Sequence, residues 1–68
     1  MHVLEFNETQ KAFHVQKISE RLKCNNNSEW AIIRVGDRKQ VTDIGTRLIE
    51  YGPHSVSEIN TLLEYMGI

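Results

Sequence analysis

Short blocks of apolar residues predict two β-strands in the first half of the chain. Residues 2–6 (HVLEF) form a β-capable segment with three apolar side chains. Residues 30–35 (WAIIRV) are aromatic and β-branched, and Gly36-Asp37 follows as a turn signal. Because the apolar side chains of this second segment fall on both faces, we expect its start to be buried on both sides.

A helix is predicted between these strands. Asn7 and Gln10 have the spacing of a capping box, which places the start of the helix near Glu8. The polar residues 25–28 (NNNS) are expected to end it, because Asn adopts the left-handed conformation readily. The apolar positions of this helix are Ala12, Phe13, Val15, Ile18 and Leu22.

The second half of the chain predicts two more helices. Thr42 is a candidate N-cap for the first of them, with Asp43 in its first turn. Gly45 inside this helix indicates a close approach by another element, and Gly52-Pro53 is expected to end it. Its apolar face is predicted to comprise Ile44, Leu48 and Tyr51, with Val41 and Ile49 beside them.

The last predicted helix has the clearest amphipathic pattern in the chain. Ser55 and Glu58 form a second capping box at its start, and Gly67 follows its end. The apolar positions recur at helical spacing and are expected to face the core. They are Val56, Ile59, Leu62, Leu63 and Met66.

These elements predict one α+β domain over residues 1–68, in the order β-α-β-α-α, with a two-stranded sheet and a C-terminal helical pair. A two-stranded sheet is only marginally stable, and a domain of 68 residues buries only about 60% of the surface that its unfolded chain exposes. We therefore expect the chain to form a homo-oligomer, such as a dimer in which a second copy extends the sheet, or a complex with another protein.

Composition narrows the environment of the protein. The formal net charge is −1, apolar residues make up 40% of the chain, and Cys24 is the only cysteine. No apolar run approaches the roughly 20 residues that span a bilayer, and a lone cysteine suits a reducing compartment. We therefore expect a cytoplasmic protein without a membrane partner.

The candidate chemical groups do not predict an enzyme. The potential metal ligands His2, His14, Cys24 and His54 lack the paired spacing of zinc sites. Cys24 lies at a predicted helix C-terminus, where the helix dipole disfavours a thiolate, so a structural role is expected. We expect no catalytic residues, no metal, no cofactor and no small-molecule substrate.

Three aromatic residues are candidates for protein binding. Trp30, Tyr51 and Tyr65 belong to residue types that dominate binding energy at interfaces. A tryptophan at the start of an apolar strand is also a common core residue. Tyrosines near helix ends commonly pair an apolar body with a solvated tip.

The last 28 residues resemble the small helix–turn–helix near the C-terminus of phage antirepressor-type proteins. The resemblance implies DNA binding or regulatory assembly, with Ser57, Asn60 and Thr61 on the exposed face of the second helix. It rests on Val41-Thr42-Asp43-Ile44-Gly45, Leu48, Gly52, Ser55, Glu58-Ile59-Asn60, Leu62-Leu63 and Met66-Gly67-Ile68.

The distribution of charge bears on that implication. Residues 48–68 contain three glutamates and neither Lys nor Arg, and a recognition helix with acidic residues is repelled by phosphates. The candidate phosphate contacts lie upstream, at Arg34, Arg38, Lys39 and Arg47. We therefore predict a small non-enzymatic regulatory protein that binds a protein partner and self-associates. The alternative is a helix–turn–helix DNA-binding regulator of phage or mobile-element type.

Overall fold

A computed structural model describes residues 1–23 and 29–68, and in it three antiparallel strands and three helices follow one another. The α+β class is confirmed. The predicted two strands and the order β-α-β-α-α are wrong, because the order is β-β-α-β-α-α. The elements are β1 (His2–Asn7), β2 (Ala12–Lys17), α1 (Ile18–Lys23), β3 (Ala31–Gly36), α2 (Arg38–Tyr51) and α3 (Val56–Met66).

The segment after Asn7 forms a β-hairpin and not the predicted helix. The Asn7 side chain accepts a hydrogen bond from the Gln10 backbone N–H at 3.0 Å, which is the bond predicted for a capping box. This bond closes a turn, in which Lys11 has a left-handed φ of 54°. Residues 12–17 then pair with β1. Strand pairing prevails because it satisfies the backbone of both segments and brings Phe13 and Val15 to the core.

Only the second part of the predicted first helix is helical, as α1. Ile18 begins it directly after β2, and its backbone N–H donates to the carbonyl of Met1. The expected end of the helix at residues 25–28 and the expected role of Cys24 lie outside the described residues.

β1 is the central strand, with β2 and β3 on either side of it. Its side chains alternate between two faces, and residues 3–7 are buried on both. Leu4 and Phe6 point to the face covered by α2 and α3, here called the core face. Val3, Glu5 and Asn7 point to the opposite face, here called the outer face.

The core lies between the core face and the two long helices. Its buried residues are Leu4, Phe6, Val41, Ile44, Leu48, Ile59 and Leu63. The predicted strand at residues 30–35 forms as β3 and pairs with β1. Its predicted burial on both sides is wrong, because β3 is an edge strand and Ile32 remains 50% exposed on the outer face.

α2 begins five residues earlier than predicted. Asp37 is the N-cap, and its carboxylate accepts from the Gln40 N–H at 2.8 Å, so Thr42 lies inside the helix. A carboxylate directly after the strand satisfies an N-terminal N–H before Thr42 could. The assignment of Tyr51 and Ile49 to the apolar face of this helix is also wrong. Tyr51 is 53% exposed in the last turn, and Ile49 is 60% exposed one position beyond buried Leu48.

The glycine inside α2 marks the predicted close approach. Gly45 is buried, and a Cβ placed on it would lie 3.0 Å from Leu4 Cδ1. The absence of a side chain therefore lets α2 lie close to the central strand. The prediction of a close approach at Gly45 is confirmed.

α3 agrees closely with the sequence-based prediction. Ser55 Oγ accepts from the Glu58 N–H at 3.2 Å, and Gly67 ends the helix in the left-handed conformation with φ 74°. Ile59 and Leu63 are buried, while the other predicted apolar positions pack against the core. Within the described part of the chain, no helix combines the length and hydropathy needed to cross a membrane.

Candidate functional site

The connection between α2 and α3 is a tight, well-bonded corner. Gly52 ends α2 with φ 63°, and its N–H donates to the carbonyls of Leu48 and Ile49. Pro53 is buried directly after it. His54 donates its backbone N–H to Glu58 Oε2 at 2.7 Å. In a capping box the Glu58 side chain would accept from the Ser55 N–H. It accepts instead from His54, one residue earlier, and so connects the corner to the first turn of α3.

The β1–β2 turn holds this corner from the other side. Glu8 Oε1 accepts from the Val56 N–H at 2.7 Å. Lys11 Nζ donates to the carbonyl of His54 at 2.9 Å and to the carbonyl of Glu8 at 2.6 Å. The bonds to Val56 and His54 join residues more than 40 positions apart, so the start of α3 is fixed against the sheet by polar contacts as well as by its apolar face.

A groove of about 380 Å³ lies at the corner, here called the α2–α3 groove. It brings together Tyr51, predicted as a protein contact, with Ser57 and Thr61, predicted as DNA contacts. Tyr65 lies one helical turn after Thr61 on the same side of α3 and is 81% exposed. The groove is lined by Tyr51, Pro53, Ser57, Glu58, Thr61 and Leu62.

The groove combines an apolar surface with a few polar groups. Tyr51, Pro53 and Leu62 supply the apolar contacts. The hydroxyl of Thr61 donates to the carbonyl of Ser57 at 3.1 Å, which leaves its oxygen able to accept. Glu58 is the only charged residue among those that line the groove. Such a surface can hold an apolar side chain and pair with a cation beside it.

The basic residues predicted as phosphate contacts lie elsewhere. Arg38 and Lys39 are exposed at the start of α2, where they line a separate open pocket of about 1020 Å³ with Asp37 and Thr46. Arg47 Nε lies 3.5 Å from Asp43 Oδ2. Arg34 is partly buried and donates to the carbonyl of Ile68 at 3.0 Å. Two of the four cations are therefore engaged within the chain.

The predicted DNA-contacting residues of α3 are nonetheless accessible. Ser57, Asn60 and Thr61 are all exposed. Neither Arg38 nor Lys39 lines the groove that contains Ser57 and Thr61. The structure therefore separates the candidate phosphate contacts from part of the candidate base-contacting surface.

Trp30 is remote from the α2–α3 groove and lies over the outer face of the sheet. Its ring centroid is 5.7 Å from that of His14, which belongs to the strand on the far side of β1. Its carbonyl accepts from Arg21 Nη2 at 3.5 Å. The half-buried Trp30 ring thus helps to cover the central strand, although it was predicted as a protein contact.

The outer face contains a buried charged cluster that the sequence reasoning missed. Glu5 is only 1% exposed in the middle of β1. Its Oε1 accepts from Gln16 Nε2 at 2.6 Å, and its Oε2 forms an ion pair with Arg21 Nη1. The signal that could have revealed the cluster is a carboxylate flanked by apolar residues in a strand, because such a residue requires a partner.

The described residues contain no group of three His, Cys, Asp or Glu side chains placed to hold a metal ion. Comparison with known proteins adds no relative. No protein-family model, no curated protein and no solved structure matches this chain.

Proposed function

We propose that this chain is a small non-enzymatic interaction protein that self-associates and acts by binding a protein partner, a short segment of which lies in the α2–α3 groove. The observation that supports the proposal is the groove itself, which Tyr51 of α2 lines together with Ser57 and Thr61 of α3. Exposed tyrosines beside a groove are typical anchors of protein recognition.

Charge indicates which kind of segment the groove binds. Glu58 lies in its wall, and residues 48–68 carry two further glutamates with no Lys or Arg. An acidic surface of this kind attracts a cationic partner and disfavours an acidic one. The proposed ligand is therefore a segment in which Lys or Arg lies next to an apolar side chain.

The volume of the groove sets the scale of the affinity. It falls near the lower end of the range of roughly 300–1,000 Å³ that is common for ligand sites. A segment placing about 25 non-hydrogen atoms in contact, at about −0.3 kcal/mol per atom, binds with about −7.5 kcal/mol, which is a Kd of a few micromolar. The interaction is thus expected to be reversible.

Selection of short peptides tests the proposal. A displayed library of random peptides is selected against the wild-type protein, and the resulting consensus peptide is titrated by fluorescence anisotropy. We expect the consensus to combine Lys or Arg with a neighbouring apolar residue. The Thr61→Arg variant, which fills the groove and repels a cation, should weaken binding by about tenfold or more, since one like-charge contact costs over 1 kcal/mol.

Thr46→Arg is the matched control. Thr46 is also an exposed helical threonine, and its hydroxyl donates to the carbonyl of Thr42 at 2.9 Å as that of Thr61 donates to Ser57. It lies away from the groove, so this variant should bind as the wild type does. The proposal is refuted if no consensus emerges, or if the two variants affect binding equally.

DNA binding is the second candidate function. It is favoured by the exposure of Ser57, Asn60 and Thr61 on α3. The resemblance to phage antirepressor-type proteins implies that these residues contact DNA. A duplex titration by anisotropy at low and moderate salt distinguishes it. Affinity that falls steeply with salt and is lost in Arg38→Ala/Lys39→Ala supports DNA binding, whereas no binding at low salt excludes it.

A further inference from the structure

The edge of β3 remains available for pairing. β3 pairs with β1 on one side, and on its other side no strand lies among the described residues. Two of its apolar side chains are exposed on the outer face, Ile32 at 50% and Val35 at 38%. Unpaired backbone groups beside exposed apolar side chains form a template for another strand.

A β-bulge changes the order of faces along β3. Val35 pairs with Val3 and Ile32 pairs with Glu5, which places both on the outer face. Between them, Leu4 pairs with Arg34, and Ile33 is the extra residue of the bulge. Ile33 packs against the core, so Ile33 and Arg34 both lie on the core face.

The resulting order of faces is symmetric. From Ala31 to Gly36 it reads core, outer, core, core, outer, core, because Ala31 pairs with Phe6 and Gly36 with His2. The sequence of faces is the same in both directions about the midpoint between Ile33 and Arg34. A strand related to β3 by a two-fold axis through that midpoint would match it face for face.

We propose that two copies of this chain pair through their β3 edges about a two-fold axis, which joins the two three-stranded sheets into one sheet of six strands. Ile32 of each copy lies opposite Val35 of the other, and Ile33 lies opposite Arg34. Shifting the register by one residue in either direction sets outer-face residues against core-face residues. A shift of three residues matches the faces again but pairs only three positions of each strand, so the bulge favours the register that pairs all six.

The same bulge disfavours other partners. A bulge disturbs the alternation that a regular strand needs, and edge strands use bulges to prevent indiscriminate pairing. A second copy carries the same bulge at the matching place, so it is the strand that fits. β3 thus combines protection against unrelated strands with specificity for itself.

In this register no like charges lie opposite each other, and an acidic residue of one copy lies near basic residues of the other. Arg34, the only charged residue of β3, lies opposite an isoleucine and not opposite its own copy, and its guanidinium is held by the Ile68 carbonyl. Beyond the strands, the register directs the exposed Glu29 of one copy towards the start of α2 in the other. Arg38 and Lys39 are exposed there, and an acidic side chain is favoured beside cations and a helix N-terminus.

The proposal specifies the self-association contained in the proposed function and does not depend on the α2–α3 groove. Sedimentation equilibrium over about 1 to 300 μM tests it, because dimer formation is concentration-dependent. We expect a dimer in the wild type and a monomer in Ile32→Lys at the same concentrations. The matched control is Ile49→Lys, since Ile49 is similarly exposed on α2, and it should remain dimeric. Circular dichroism verifies that each variant folds.

Crosslinking tests the register. In a Cys24→Ser background, Ile32→Cys/Val35→Cys should form a covalent dimer on mild oxidation, because opposite cysteines on neighbouring strands lie within disulfide distance. Ile32→Cys/Ile49→Cys should not. A monomeric wild type, equal effects of the two lysine variants, or equal crosslinking of the two cysteine pairs overturns the proposal. Peptide binding is measured separately, so failure of the dimer leaves the groove testable.

Discussion

The buried ion pair on the outer face makes α1 sensitive to a single substitution. In Arg21→Met, Glu5 loses its cation while it remains 1% exposed in the central strand. Gln16 Nε2 continues to donate to Oε1, but one amide cannot balance a buried carboxylate. Methionine keeps most of the apolar stem of Arg21, so the change removes the guanidinium, with its bond to the Trp30 carbonyl, and little of the packing.

The expected cost is a large part of the stability of the domain. Removing one partner of a buried pair costs about 3–5 kcal/mol, since it leaves an uncompensated charge. A domain of 68 residues has a free energy of unfolding of roughly 3–10 kcal/mol at 0.05–0.15 kcal/mol per residue. We expect Arg21→Met to lower it by about 3 kcal/mol, near the lower limit because the Arg21 side chain is 16% exposed.

Urea unfolding followed by the fluorescence of Trp30 measures this cost, because the single tryptophan lies against the same face. Lys23→Met is the control, since it removes an exposed α1 ion pair of 3.9 Å, and it should change stability by under about 0.5 kcal/mol. Glu5→Leu/Arg21→Met should recover most of the loss, since the double variant removes both charges. A cost below about 1 kcal/mol for Arg21→Met, or a double variant no more stable than the single one, refutes the reasoning.

Two further substitutions test the helices by thermal unfolding, where 1 kcal/mol corresponds to about 4–8 °C in Tm for a domain of this size. Gly45→Ala should lower Tm, because the new Cβ would lie 3.0 Å from Leu4 Cδ1. This overpacking costs about 1–3 kcal/mol, whereas the gain in helix propensity is only about 1 kcal/mol. A Tm above that of the wild type would contradict this expectation. Ser55→Ala should cost about 1 kcal/mol through the lost cap of α3, whereas Ser57→Ala, whose side chain does not cap the helix, should be near neutral. Equal losses for the two serines would mean that the Ser55 hydroxyl does not act as the cap.

The candidate site was predictable in part. Tyr51, Ser57 and Thr61 were identified from the sequence, but under two different functions. Their meeting in one groove depends on the corner at Gly52 and on bonds from Glu8 and Lys11 in the hairpin. No local pattern indicates those bonds, because they join residues distant in sequence.

The hairpin shows where local signals are ambiguous. The side chain of Asn7 accepts from the Gln10 N–H in a helix start and in a turn alike. The choice between them is made by β1, which offers Ala12–Lys17 a full set of backbone partners. The bond between Asn7 and Gln10 therefore indicates that the chain reverses there. It does not indicate whether the residues that follow form a helix or a strand.

By itself, the sequence determined the ends of the helical pair and its buried face. Gly52, Ser55 and Gly67 act through their own backbone and nearest turns, and Ile59 and Leu63 recur at helical spacing. The tertiary structure alone decided that residues 12–17 form a strand, that Glu5 is buried beside Arg21, and that β3 carries a bulge. The physical reason is that strand pairing and burial of charge depend on partners far away in the chain, whereas helix caps depend on neighbours within one turn.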